Sequence, residues 1–231
     1  MGAIIGIGGG FEGRDEFDLA HEIIRLSGKE TPRFLHIPTT SYDIANTGTV
    51  GLYAKMGCDV DILYLTHAYM TEAILAEKIR AADIIHVPGG NLKFVMDVWN
   101  RTNAAYYLRE AFEAGKVLFG GSSGSMCWFE EGFDDCGPEN SFMFIRGLGL
   151  LPYNNVPHYE GAFWQQFNDY ADKTPRSTIA CENGTAICYR DGKWSLRIAS
   201  ARPDARVWFF DAKDGYKRYD LTAHPEILKR L

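Results

Sequence analysis

Along the first two-thirds of the chain, short, continuously apolar runs alternate with longer stretches whose apolar residues recur every three or four positions. The short runs are 3–7, 33–37, 60–65, 84–87 and 117–119, and most end in Gly, Pro or Thr. A run that is apolar throughout suits a strand buried on both faces, as in a parallel sheet. Between them, 16–26, 45–56, 71–81 and 92–114 carry helical spacing. Ile74, Leu75 and Ile79 follow Thr71, whose hydroxyl can cap a first helical turn. The last stretch is predicted to break near 100–102 into two helices.

This alternation implies an α/β fold, a doubly wound and mostly parallel sheet with right-handed crossovers. A chain of 231 residues is enough for one sizeable core, so a single domain over 1–231 is expected. Ligands of such sheets bind beyond the carboxyl ends of the strands. The loops there are 8–13, 38–42, 88–91 and 120–125, all rich in Gly, Ser or Thr. The C-terminal third changes period. Segments 179–181 and 186–189 flank Asn183-Gly184, Asp191-Gly192 marks a second turn, and 207–210 and 216–219 flank a third at 213–215. These are hairpin signals, read as an antiparallel extension of the same sheet.

Composition removes several function classes. Hydrophobic residues at 46% and charged residues at 23% give a globular balance. A net charge of −6, with no Lys/Arg stripe, argues against a nucleic-acid partner. Cys58, Cys127, Cys136, Cys181 and Cys188 are odd in number and form no C-x-x-C pair, which points to a reducing, cytoplasmic setting. The start of the chain lacks a basic n-region and no run approaches a membrane span, so no membrane partner is expected. The aromatics near the C-terminus serve a core or a homodimer interface, and the core is the simpler use.

Gly120-Gly121-Ser122-Ser123-Gly124 fits G-x-S-x-G where a strand is predicted to end and a helix to start. A nucleophile elbow needs that context. Small neighbours allow the sharp turn, the turn lifts the hydroxyl above the sheet edge, and the next N–H faces the developing oxyanion. The plainer reading is a Gly/Ser-rich turn or a phosphate-cradling loop. A serine nucleophile needs a base, and the base needs an orienting group. Of six histidines, His21 falls in a predicted helix and His36 and His86 in predicted strands. His158 follows Pro157 in an irregular stretch and is the best candidate. For the carboxylate, Glu130, Glu131, Asp134 and Asp135 lie between Ser122 and His158, and the sequence alone does not choose among them.

The stretch from Ser122 to Gly132, then Asp134-Asp135, then Gly147 to Pro152 and Pro157-His158-Tyr159, resembles the peptidase E (S51) family, which includes aspartyl dipeptidases and the related cyanophycinases. Pro88-Gly89-Gly90-Asn91 is similar to that family's glycine-rich segment. The resemblance implies a flavodoxin-like fold, close to class I glutamine amidotransferases, with no metal or organic cofactor. It implies Ser122 as nucleophile, His158 as base then acid, and Asp135, or less simply Asp134, as orienting carboxylate. Oxyanion and substrate contacts are implied at Ser123 and in the Gly89-Gly90-Asn91 segment. The implied substrate is a short peptide, cleaved after an N-terminal Asp, which would require a cation among Arg146, Arg176, Arg190, Arg197 and Arg202.

The family's S-A-G-A is here Ser122-Ser123-Gly124-Ser125, which puts three hydroxyls in one turn and leaves Ser123 and Ser125 as alternative nucleophiles. Only Ser122 has Gly two residues away on both sides. Other readings are a dinucleotide module at Gly8–Gly13, a cysteine amidase using Cys127 or Cys136, a catalytically dead homologue, and a hydrolase of another small amide or ester. The dinucleotide reading lacks the acidic residue at the end of the second strand that would hold a ribose. An α/β-hydrolase would need further strands and helices between nucleophile and histidine than 122–158 can hold.

Overall fold

The structure is a computed structural model that describes residues 1–231, the side chain of Asn140 excepted. Its regular elements begin with β1 (Ala3–Ile7), α1 (Arg14–Ser27), β2 (Arg33–His36), α2 (Thr47–Lys55), β3 (Asp59–Ile62) and α3 (Glu72–Ala81). There follow β4 (Ile84–Val87), α4 (Leu92–Thr102), α5 (Ala104–Glu113), β5 (Val117–Gly121), α6 (Ser123–Met126), β6 (Phe129–Asp134) and β7 (Met143–Arg146). The chain ends with β8 (Leu151–Val156), β9 (Thr178–Cys181), β10 (Thr185–Arg190), β11 (Lys193–Ile198), β12 (Val207–Asp211) and β13 (Lys217–Asp220).

Seven strands form one sheet in the order β11-β10-β1-β5-β4-β2-β3, and its five N-terminal strands run parallel. Ala3 and Ile5 of β1 pack with Leu19, Ala20 and Ile23 of α1, while Ile4 belongs to the opposite layer with Leu108 and Phe112 of α5. Alternate side chains thus enter two apolar layers, which is why these strands read as apolar at every position. The expected cap and the expected helix break also have visible causes. Thr71 Oγ1 accepts from Ile74 N (3.3 Å), and Asn103 at φ 62° separates α4 from α5.

The C-terminal strands divide between two sheets. β10 pairs with β1 and turns onto β11 through Asp191-Gly192, both at positive φ (51° and 76°) as a two-residue primed turn requires. This is the expected antiparallel extension. β9, β12 and β13 instead join a second sheet, in the order β13-β12-β9-β8-β6-β7. Asn183-Gly184 is therefore a crossover and not a hairpin, since β9 pairs with β8 and β12 while β10 pairs with β1 and β11. β9 is buried at all four positions, as suits a strand flanked on both sides. One face of this sheet adds Phe129, Leu151, Ile179 and Phe209 to the main core, and the other packs Phe133, Val156 and Phe210 under Phe142 and Phe167. Among the described residues no helix is long and apolar enough to cross a membrane.

Candidate active site

β5 lies between β1 and β4, so its end at Gly121 opens beside Ile7 and Val87. Ser122 follows at φ 57°, ψ −127°, a backbone conformation that non-glycine residues rarely adopt and that surrounding contacts must hold. The contacts are visible. Ser122 N donates to Ile7 O (3.2 Å), and the turn rests directly on the end of β4. A Cβ on Gly120 would lie 2.1 Å from Val87 O and one on Gly124 2.0 Å from the same oxygen. Of the three hydroxyls, Ser123 Oγ shares its single hydrogen between Gly90 O (2.8 Å) and Asp134 Oδ2 (3.1 Å), and Ser125 Oγ donates to Asn155 Oδ1 (2.8 Å). Both are buried, whereas Ser122 borders a cavity. Only the hydroxyl of Ser122 is neither buried nor hydrogen-bonded among the described residues.

His158 arrives from the other sheet, just beyond β8. Its N–H donates to Gly8 O (3.1 Å), so two consecutive carbonyls at the end of β1 hold the backbones of Ser122 and His158. His158 Nδ1 lies 2.6 Å from Asn183 Oδ1. With that amide oxygen accepting, Nδ1 carries the hydrogen and Nε2 is left as the acceptor a base requires. Asn183 is held in turn: its N–H donates to Glu160 Oε2 (2.8 Å), and Glu160 Oε1 accepts from Arg202 Nη1 (3.2 Å). Trp164 covers the imidazole at 5.4 Å between ring centroids. The glycine run after β1 serves this pair. A Cβ on Gly9 would fall 2.3 Å from Asn183 Oδ1 and 2.6 Å from His158 Cε1.

The carboxylates between Ser122 and His158 stand elsewhere. Asp135 is half-buried past the end of β6 and makes no hydrogen bond to His158, whose Nδ1 is taken by Asn183. Asp134 is buried, which raises its pKa, and accepts from Ser123 Oγ and from Cys136 N (2.9 Å), so it braces the elbow from behind. Glu130 and Glu131 both pair with Arg176. Sequence reasoning missed Asn183 because it looked for an acid and looked only before His158. The signal was present as an Asn-Gly turn between two strands, read there as a hairpin.

Of the residues implied for the oxyanion, Gly89 is adjacent to Ser122: a Cβ on it would lie 3.2 Å from Ser122 Cβ. Among the described residues the N–H groups of Gly89 and Gly90 have no acceptor, and Ser123 N–H opens α6, where helix donors are unpaired. Asn91 departs from the expectation. Its N–H donates to Thr40 O (2.8 Å) and its Oδ1 caps α4 by accepting from Phe94 N (2.8 Å), so it supports the loop. The cysteine alternative has no activated thiol. Burial pushes Cys127 well above its ordinary pKa and Cys136 up to about 12. Among the described residues no three His, Cys, Asp or Glu gather as a metal site.

The cavity beside Ser122 measures about 240 Å³ and reaches inward to His86. His86 Nδ1 lies 2.9 Å from His36 Nδ1, and His36 Nε2 accepts from Asn46 N (3.1 Å). Burial lowers the pKa of both, His36 to about 4. The unfolded chain therefore takes up a proton between pH 6.5 and 4 that folded His36 refuses, and stability falls as pH drops through that window. His36 alone accounts for a loss of about 2 kcal/mol between pH 7.5 and 5. Urea unfolding at the two pH values checks this, with a smaller difference expected in a His36→Gln variant.

A second expectation concerns Asn183. In Asn183→Leu the imidazole loses its tautomer lock, and kcat falls about 100-fold with KM little changed. Asn183→Asp keeps an acceptor oxygen and retains most activity. Steady-state kinetics on the two variants separates these outcomes.

Peptidase family S51 is matched over residues 4–197. The uncharacterized peptidase YgaJ of Bacillus subtilis (strain 168) is 34% identical over 209 residues, covering 87% of this chain and 88% of that protein. The uncharacterized peptidase PM1590 of Pasteurella multocida (strain Pm70) is 27% identical over 112 residues, 46% of this chain and 53% of that one. The crystal structure of a peptidase from an acI-B1 Actinobacterium superposes with a TM-score of 0.76 at 18% identity, covering 96% of this chain and 94% of the other, a likeness of fold. With the match running from β1 through β11 and enclosing Ser122, His158 and Asn183, the chain belongs to peptidase family S51.

Proposed function

We propose that this chain is a serine peptidase that hydrolyses an amide bond in short peptides through an acyl-enzyme on Ser122. The observation that carries the reading is the strained Ser122 elbow, with His158 anchored one carbonyl away and its Nδ1 bound to Asn183. His158 Nε2 takes the Ser122 proton as Oγ attacks the carbonyl carbon, then gives it to the leaving amine. Water repeats the sequence on the ester. The N–H groups of Ser123 and of Gly89 or Gly90 face the oxyanion, and one such donor is worth about 100- to 1,000-fold in rate. Asn183 orients the imidazole as a neutral acceptor, in the manner of a Cys-His-Asn site. We take 1–231 as one catalytic domain, because nucleophile and base come from different sheets that share a core. A cytoplasmic setting fits the five free cysteines.

Cleavage after N-terminal Asp would ask for a cation at the acyl side chain. Arg146, Arg176, Arg190, Arg197 and Arg202 are each paired with a carboxylate, at Glu130, Glu130 and Glu131, Asp191, Glu22 and Glu160 respectively. The acyl-enzyme is tested by adding hydroxylamine during turnover of a dipeptide mixture. A hydroxamate of the N-terminal residue is the expected product. Hydrolysis that hydroxylamine never intercepts, at unchanged total rate, would speak for direct attack by water.

A further inference from the structure

The cavity beside Ser122 is selective in its chemistry. Its walls are mainly Ile7, Phe11, Leu19, Ile23, Leu52 and Phe119, and among the described residues no Lys or Arg lines it. Glu16, exposed at its rim, is the one acidic side chain there. A carboxylate entering this space would leave water for hydrocarbon walls, meet no cation and face a like charge, which is the costliest kind of transfer.

The inner wall offers one directed polar group. Asn46 N–H donates to His36 Nε2, so neutral His36 carries its hydrogen on Nδ1 and donates it to His86 Nδ1. Neutral His86 then carries its own hydrogen on Nε2. That nitrogen takes no acceptor among the described residues and keeps some accessible surface. His86 lines the cavity, so the N–H opens into it. Phe119 and Phe34 stack on the ring, at 4.6 and 5.9 Å between centroids, and fix its plane. Thr49 and Tyr53 border the same space with hydroxyls able to accept.

We propose that this cavity receives the side chain of the acyl residue and selects uncharged side chains ending in a hydrogen-bond acceptor, above all the carboxamides of Gln and Asn. His86 Nε2–H donates to the carboxamide oxygen, and the Thr49 or Tyr53 hydroxyl accepts from its nitrogen. The inference rests on Ser122 being the nucleophile of a peptidase.

The test assays the purified full chain against Gln-Leu, Glu-Leu, Asn-Leu, Asp-Leu, Leu-Leu and Lys-Leu, with fluorophosphonate labelling of Ser122 on the same preparation. The expected kcat/KM for Gln-Leu or Asn-Leu exceeds that of the isosteric acid, of Lys-Leu and of Leu-Leu by about tenfold or more. In His86→Leu the preference of the carboxamide over Leu-Leu shrinks to near parity, and in His86→Gln, which keeps a donor, part of it returns. The wild-type ratios decide by themselves if a variant does not fold. A preference for Asp-Leu or Glu-Leu, or equal cleavage of Leu-Leu or Lys-Leu, in a preparation whose Ser122 labels, overturns the inference and leaves the peptidase reading intact. No labelling and no cleavage overturns both.

Discussion

Replacing Ser122 by alanine lowers kcat by about 10⁴- to 10⁶-fold, with the fold and its unfolding midpoint essentially kept. The change removes one oxygen that borders a cavity, so little packing is lost. The neighbouring hydroxyls cannot substitute. Ser123 and Ser125 are both buried, bonded to Asp134 and Asn155, and outside the cavity lining. His158→Ala should cost a similar factor, and the double variant little more than either alone, because the two side chains act as one unit. Kinetics on the three variants, with circular dichroism to confirm folding, reads this directly. Losses that multiply would show that the two residues work independently.

Gly124→Ala is the second large effect, and it is reached without touching a reacting group. The added Cβ would lie 2.0 Å from Val87 O and 2.6 Å from Pro88 O, both backbone atoms that cannot swing aside. α6 must lift off the end of β4, and Ser122 and the Ser123 N–H move with it. A displacement of about 1 Å at a reacting group costs on the order of 100-fold, and a misplaced oxyanion donor a comparable factor. We expect kcat to fall about 1,000-fold or more, with about 1–3 kcal/mol of stability lost to overpacking. Gly121→Ala is the informative contrast. Its Cβ would meet nothing closer than Ile7 at 3.8 Å, so it should lose far less activity although it adjoins Ser122. Urea unfolding and kinetics on both variants separate elbow geometry from general damage.

The parallel half of the fold was legible because burial on both faces leaves a plain mark. β1 and β4 match the apolar runs at 3–7 and 84–87, and Thr71 caps α3 as its hydroxyl suggests. The turn at Ser122 was legible because it is a local device, one strand, one tight turn and one helix. What was not legible depends on partners distant in sequence. Asn183-Gly184 has the chemistry of a hairpin turn, and only the competition of β1 and β8 for the flanking strands turns it into a bridge between sheets. The hydrogen-bond partner of His158 was lost with that misreading, since Asn183 rides on the crossover. Asp134 and Asp135 illustrate the converse. An acidic pair near a candidate nucleophile looks catalytic, yet burial turns Asp134 into a brace for Ser123, and the His158 Nδ1 is bound by Asn183. The cavity beside Ser122 was invisible in the same way, because His36 and His86 sit in apolar strands and read as core.

The central claim is that His158 activates Ser122, and reaction with a fluorophosphonate probe followed by peptide mass mapping tests it most directly. The expected result is a single adduct on Ser122 in the wild-type protein, lost in His158→Ala and much slowed in Asn183→Leu. An adduct on Ser123 or Ser125, labelling of Ser122 undiminished in His158→Ala, or no labelled serine at all would contradict it.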